Sequence, residues 1–276
     1  MAFDSPVRRA AKRVLAPLLT EGVYRRVQSV SMARDIRSGA LTEPELALVQ
    51  PGVRAGEVVL DLGANYGMWT YPLDRAVGAS GRVYAFEPIP FTVQALRDVA
   101  RLLRLRNTEI VPKGVGQHAG TLAFTVPLQD SGAISAGQAH AAARDDARDG
   151  AEQHVRWSRT SQVEVEVVRL DDVIPTAADV SFVKADIEGA ELSAFRGATA
   201  IIERCHPSVV CEINPWFLEG FGLTVDDLLG FFAQRGYELY RIAGGRLVAV
   251  GGPAEVDEDN YLFVHPDRRA RFATLI

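Results

Sequence analysis

A chain of 276 residues with 47% hydrophobic and 24% charged residues can bury a sizeable core, and these proportions exclude a disordered or fibrous protein. Its net charge of −5 gives no long-range pull toward polyanions, so neither nucleic acid nor an anionic membrane is an expected partner. The two cysteines, Cys205 and Cys211, sit in apolar surroundings without zinc-binding spacing and read as core thiols.

Residues 1–50 read as a helical N-terminal extension. Val7, Ala11, Val14, Leu15 and Leu18 suit one face of a helix that packs on the domain, or serves as a lid or as the contact of a homodimer. Arg8, Arg9, Lys12 and Arg13 precede an apolar patch, but Pro17 and Glu21 interrupt it and no small-residue cleavage site follows. No run approaches the roughly 20 apolar residues of a membrane span, so a cytoplasmic protein is expected.

From residue 57 onward, short β-branched runs alternate with helical patterns, which predicts a parallel sheet covered by helices on both faces. Strands are predicted over 57–62, 82–87, 109–111, 180–186 and 208–213, and a helix over 90–105 with apolar Val93, Leu96, Ala100 and Leu103. Two further strands, 237–241 and 260–264, are separated mainly by glycine and polar residues. No helix fits comfortably between them, so this end is expected to be antiparallel. Alternating runs at 122–126 and 163–167 read as an added hairpin-like pair. They flank a variable insertion at about 127–162, rich in Ala, Gly, Asp and Arg, that is expected to be mobile or to close over a substrate.

The first strand ends in Asp61-Leu62-Gly63-Ala64-Asn65-Tyr66-Gly67, a loop suited to close backbone approach by a ligand at a helix N-terminus. A dinucleotide loop would place a third glycine two positions after Gly63; Asn65 stands there instead. That disfavours a pyrophosphate, and with it a nicotinamide dehydrogenase, and suits a ligand with a zwitterionic tail such as S-adenosylmethionine. Glu87, at the end of the second strand, is placed to accept both hydrogen bonds of a ribose diol. Asp61 either orders the loop amides or meets a cofactor ammonium through water.

At these residues the chain resembles the FkbM family of S-adenosylmethionine-dependent methyltransferases. The matching pieces are Asp61 to Gly67 with Thr70, then Phe86-Glu87-Pro88, Leu170-Asp171-Asp172, Lys184-Ala185-Asp186-Ile187-Glu188-Gly189-Ala190-Glu191, Arg196-Gly197-Ala198 and Cys211-Glu212-Ile213. The resemblance implies a Rossmann-like α/β sheet of seven mostly parallel strands with a reversed last strand, filling residues 51–276. It also implies O-methylation of a sugar, glycan or specialised metabolite, hence a small-molecule acceptor. Where the family often has Gly-Asp after the third strand, this chain has Gly116-Gln117, and Gln117 takes the place of the acid that meets the adenine amino group. The expected cofactor-binding set is thus Asp61, Gly63, Asn65, Gly67, Thr70, Glu87, Gln117 and Asp186.

Ligands of open α/β sheets lie beyond the carboxyl ends of the strands, so Asp186 and Glu212 are expected to face the crevice bordered by the glycine loop. Lys184 lies on the same side of its strand as Asp186. Asp186, Glu212 and Lys184 form the expected catalytic set, which orients and deprotonates an acceptor hydroxyl, while Glu188 and Glu191 read as partners of a helix dipole. Asp186, Glu212 and Asn214 would also offer hard oxygen ligands to magnesium or calcium. The fifth strand lacks a consecutive Asp-Asn, and no metal is expected. A non-enzymatic cofactor-binding module would keep the loop and lose the acids at 186 and 212, which this chain retains.

Overall fold

The computed structural model describes residues 20–128, 140–141 and 159–276. The apolar positions Val7 to Leu18 and nearly all of the 127–162 insertion, with His154 and Trp157, lie outside the described residues. None of the described helices is long and apolar enough to cross a membrane.

The centre of the molecule is a sheet in the order β3-β2-β1-β8-β9-β12-β10-β11. Its parallel part comprises β1 (Val58–Leu62), β2 (Arg82–Phe86), β3 (Thr108–Val111), β8 (Val180–Ala185) and β9 (Ser208–Ile213). The central strands have apolar side chains on both faces, because helices cover each side. From β1, Leu60 and Leu62 enter a core with Phe195, Ile202 and Phe232, whereas Val59 enters a second core with Leu73, Val77 and Phe272. All six residues of β8 are buried.

β12 (Asp259–Val264) runs antiparallel to both β9 and β10 (Glu238–Ala243), as the lack of room for a crossover helix predicts. The sheet has eight strands rather than seven. The extra one, β11 (Arg246–Ala249), hairpins onto β10 at the Gly244-Gly245 turn and buries only Leu247. An edge strand facing water on nearly every residue leaves no alternation of apolar and polar positions to read.

A second, smaller sheet in the order β4-β7-β5-β6 stands beside the first. β5 (Gly120–Leu128) and β7 (Arg159–Val168) form the expected antiparallel pair, and β4 (Gly114–Val115) and β6 (His140–Ala141) extend it. Phe124, Val163, Val165 and Val167 pack this sheet against Ile89, just past the end of β2.

Helix α1 (Glu21–Ser38) lies on α3 (Pro90–Leu103), joining Ala33 and Ile36 to Val99 and Leu103, with an Arg25–Asp98 ion pair of 2.8 Å. Pro90 at the start of α3 sits where a helix needs no amide donor. Helix α2 (Thr70–Val77) is tied to β3 by buried Asp74, which accepts from the Asn107 amide at 2.8 Å and the Thr108 hydroxyl at 2.9 Å. Asp74→Ala strands both donors, so chemical denaturation should show a loss of about 2–3 kcal/mol with an unchanged slope.

Candidate functional site

The carboxyl ends of β1, β2 and β8 open into a cleft of about 440 Å³. The backbone at the end of β1 is held by its neighbours: the amides of Gly63 and Ala64 donate to the Phe86 carbonyl, and the Asp186 amide donates to the Leu62 carbonyl. Gly63, Asn65 and Gly67 all have positive φ, at 80°, 47° and 88°. A β-carbon on Gly63 would stand 1.9 Å from the Asp186 carbonyl oxygen. The need for glycine at position 63 therefore comes from contact between two loops, in addition to any ligand. Gly67 does not line the cleft; a β-carbon there would meet Leu96 at 2.9 Å.

Asp61, Gly63, Asn65, Glu87, Lys184 and Asp186 are brought together around the cleft, as the sequence predicts. Glu87 is buried, accepting from the Ile89 amide at 2.9 Å and the Asn65 amide at 3.1 Å. It thereby fixes the glycine loop to the end of β2. The remaining lone pairs of its two oxygens are what it can offer a ligand.

Besides Gly67, two further expected cofactor contacts are placed elsewhere. Thr70 is fully buried at the start of α2 and donates to Asp61 Oδ2 at 2.5 Å, so it orients that carboxylate rather than reaching a ligand. Gln117 lies outside the cleft, in a polar depression with Arg196 and Asp227, its amide donating to the Ser193 hydroxyl at 3.0 Å. The cleft is instead lined by Lys113, Gly114 and Val115, just upstream. A residue after a short strand cannot be assigned a direction from spacing alone, because one residue of slip reverses its face.

The catalytic group is also differently arranged. Lys184 is 1% exposed, and its ammonium donates to Asn260 Oδ1 at 2.9 Å, lies 3.6 Å from Asp186 Oδ2 and sits 5.3 Å above the Trp69 ring. Burial alone would favour loss of its proton. The surrounding carboxylates of Asp186, Glu43 and Glu212 outweigh that and push its pKa up. The Asp186 side chain is 41% exposed at the cleft wall. Glu212 is set behind it, outside the cleft lining, where burial first and then the charge of Asp186 and a hydrogen bond to it drive the Glu212 pKa well up. Glu212 thus backs Asp186 rather than lining the cleft as a second group. Asn214 is committed to capping the Pro215–Gly220 helix, accepting from the Trp216 and Phe217 amides, so its oxygen is not free to join a metal site.

Several lining residues carry no sequence signal of their own. Met32 comes from α1, and Leu41 and Glu43 from the segment that follows it; Glu43 accepts from Trp69 Nε1 at 2.9 Å. Glu188, read as a helix-dipole partner, precedes the helix and lines the cleft with φ of 56°. Glu191 begins that helix and accepts from the Ile187 and Gly189 amides, holding the turn that presents Glu188. His118 is exposed and does not line the cleft.

Burial is the first cause of a high pKa for four acids at or just behind the cleft lining: about 6 for Asp61, about 7 for Glu87 and Glu191, and about 8 for Glu188. A carboxyl whose folded pKa exceeds its unfolded value stabilises the fold fully below the unfolded value, and that contribution is lost as pH rises through the folded one. The thermal midpoint of the ligand-free protein should therefore fall between about pH 4 and pH 8 in a melting series, more steeply than in a Glu188→Gln variant. For the loop, Gly63→Ala should cost about 2–4 kcal/mol from its left-handed backbone and overpacking, and should weaken ligand binding by displacing Asp186; calorimetry and denaturation on one preparation check both.

A family model described as the methyltransferase FkbM domain matches residues 61–239, well over half of the chain. "Methyltransferase 1" of Beauveria bassiana is 28% identical over 146 residues, covering 50% of this chain and 57% of that protein. Among solved structures, an FkbM methyltransferase from Methylobacillus flagellatus aligns with 19% identity and a TM-score of 0.46, over 93% of this chain and 58% of that one. An rRNA methylase from Streptococcus thermophilus aligns with 12% identity and a TM-score of 0.42, over 81% of this chain and 95% of that one. The chain spans little more than half the length of the fungal relative and of the Methylobacillus protein.

Proposed function

The chain belongs to the FkbM methyltransferase family, whose methyl donor is S-adenosylmethionine, and from that premise we propose that it methylates a hydroxyl oxygen of a small specialised metabolite or sugar.

The residues present fit the donor. Asp61 Oδ1 and Asn65 Oδ1 are buried beside the cleft with no hydrogen-bond partner among the described residues, and such orphaned acceptors suit an ammonium group. Asp61, Gly63 and Asn65 would hold the amino-acid end, Glu87 the ribose, and Ile89 and Val115 the apolar faces of the base. Bound there, S-adenosylmethionine supplies a methyl carbon made electrophilic by its sulfonium. The chain's task is then to hold an acceptor in line and to keep water out, and such positioning supplies most of the rate in displacements of this kind. Met32, Leu41, Met68 and Trp69 give the cleft an apolar wall that excludes water.

The observation that carries the hydroxyl reading is the exposed Asp186 carboxylate held at the cleft wall by buried Lys184. It can accept a hydrogen bond from an acceptor hydroxyl and turn an oxygen lone pair toward the methyl group. Glu43 and Asp186 on the same walls oppose a phosphate backbone, which supports a small acceptor over nucleic acid.

Incubation with S-adenosylmethionine and a panel of hydroxylated acceptors should give a product heavier by one methyl group, with the label on oxygen. Asp186→Asn keeps the shape and removes the charge, so turnover should fall by about 10²-fold. Its thermal midpoint should stay near wild type, because Asn260, Glu43 and the Trp69 ring still surround Lys184. A large drop in midpoint with turnover per folded molecule intact would show that Asp186 only balances the lysine.

A further inference from the structure

Asp186 is already engaged by two neighbours, lying 3.6 Å from the Lys184 ammonium and hydrogen-bonded with Glu212. The deprotonating role remains unfilled. Two residues further on, Glu188 lines the same cleft and makes no hydrogen bond or ion pair among the described residues. Its backbone is left-handed, a conformation that strains a side-chain-bearing residue and that glycine would adopt freely. The next residue, Gly189, is also left-handed at φ 95°, and a β-carbon there would stand 2.7 Å from the Phe217 carbonyl oxygen. The turn is further fixed by Glu191, whose carboxylate accepts from the Ile187 and Gly189 amides. The chain therefore holds Glu188, strained and without a partner among the described residues, at the cleft by contacts that do not involve its own side chain.

We propose that Glu188 is the proton acceptor of the methyl transfer, with Asp186 orienting the acceptor hydroxyl. The inference rests on the methyltransferase reading above. As the acceptor oxygen forms its bond to the methyl carbon, the carbon–sulfur bond breaks and its electron pair stays on sulfur, leaving a neutral thioether. The O–H bond breaks and its proton passes to a Glu188 carboxylate oxygen, from which it is later released to solvent. Charge and atoms balance: a cationic donor and a carboxylate become a thioether and a carboxylic acid.

The charged groups around Glu188 are Asp186 at the end of β8, Glu191 in the following helix, Glu212 on β9 and Glu258 in the loop before β12; Lys184 is engaged with Asp186 and Asn260. Burial, reinforced by the like charges of Asp186, Glu191 and Glu258, raises the Glu188 pKa to about 8, near the value that lets a carboxylate both take and release a proton around neutrality.

The test uses the full chain and pairs activity with two readouts that need no turnover. In Glu188→Gln, turnover should fall by about 10²-fold or more, while S-adenosylhomocysteine affinity by calorimetry stays within about threefold. The rising limb of the wild-type pH–rate profile, at or below about pH 8, should disappear in Glu188→Gln and return, shifted, in Glu188→Asp. Carbon-13 titration of the wild-type carboxyls, assigned by comparison with Glu188→Gln, should show one group titrating near pH 8. Turnover of Glu188→Gln within threefold of wild type, an unchanged rising limb in that variant, or titration of Glu188 in the ordinary range near 4.5 would each overturn the proposal. Methyl gain on nitrogen or carbon alone would instead overturn the hydroxyl reading, leaving Glu188 to be judged by its titration and pH limb.

Discussion

Gly63 has no room for a side chain because the Asp186 carbonyl oxygen occupies the place where a β-carbon would stand. The amide of Asp186 donates to Leu62 and those of Gly63 and Ala64 donate to Phe86, so three strand ends are joined by backbone alone. This makes one rim of two loops that serve different ends. The β1 loop brings Asp61 and Asn65 to the cleft, and the β8 loop brings Asp186 and Glu188. Reaction by in-line displacement depends on the distance between those two sets, and the close contact at Gly63 sets it without help from any side chain.

The electrostatics of the cleft follow from that rim. Converging strand ends bring Asp61, Glu87, Asp186 and Glu188 to its lining, with Glu191 and Glu212 just behind, against a single fully buried cation, Lys184, among the described residues. Buried carboxylates are tolerable only where hydrogen bonds, an opposite charge or a proton compensate them. Each is handled differently. Glu87 and Glu191 take backbone amides, Asp61 takes the Thr70 hydroxyl, Asp186 takes Lys184, and burial pushes the Glu212 pKa up. Glu188 receives no such partner among the described residues. An acid-rich cleft of this kind favours a cationic ligand and disfavours phosphates, in keeping with a methyl donor that carries a sulfonium.

The second sheet and α1 enclose this rim from opposite sides. Leu122, Phe124 and Val167 close the cleft beside Ile89, while Met32 and Leu41 close it near Trp69. Neither addition is part of the central sheet, and both contribute mainly apolar surface. The strand ends thus hold the polar chemistry, and the additions shape the space around it, the usual division of labour between a rigid scaffold and its connections.

The sequence by itself determined the elements whose periodicity is imposed by burial on one or two faces. The parallel strands, α3, the β5/β7 pair and the antiparallel end all follow from patterns of apolar residues and from connection length. It also determined which loop borders the cleft, since Gly63, Asn65 and Glu87 lie next to strand ends whose direction a parallel sheet dictates. Tertiary structure decided what depends on contacts between distant segments. Thr70 faces inward because Asp61 needs its hydroxyl, and Gln117 leaves the cleft because the backbone after β4 leads it toward Ser193. Glu43 arrives from a segment with no motif of its own because Trp69 donates to it. Glu188 and Glu191 look alike in sequence, both acids near a helix start; only the left-handed turn between them makes one a ligand of amides and leaves the other facing the cleft. Local pattern records which residues must be buried, whereas the direction of a polar side chain is set by the partner it finds, and that partner is remote in sequence.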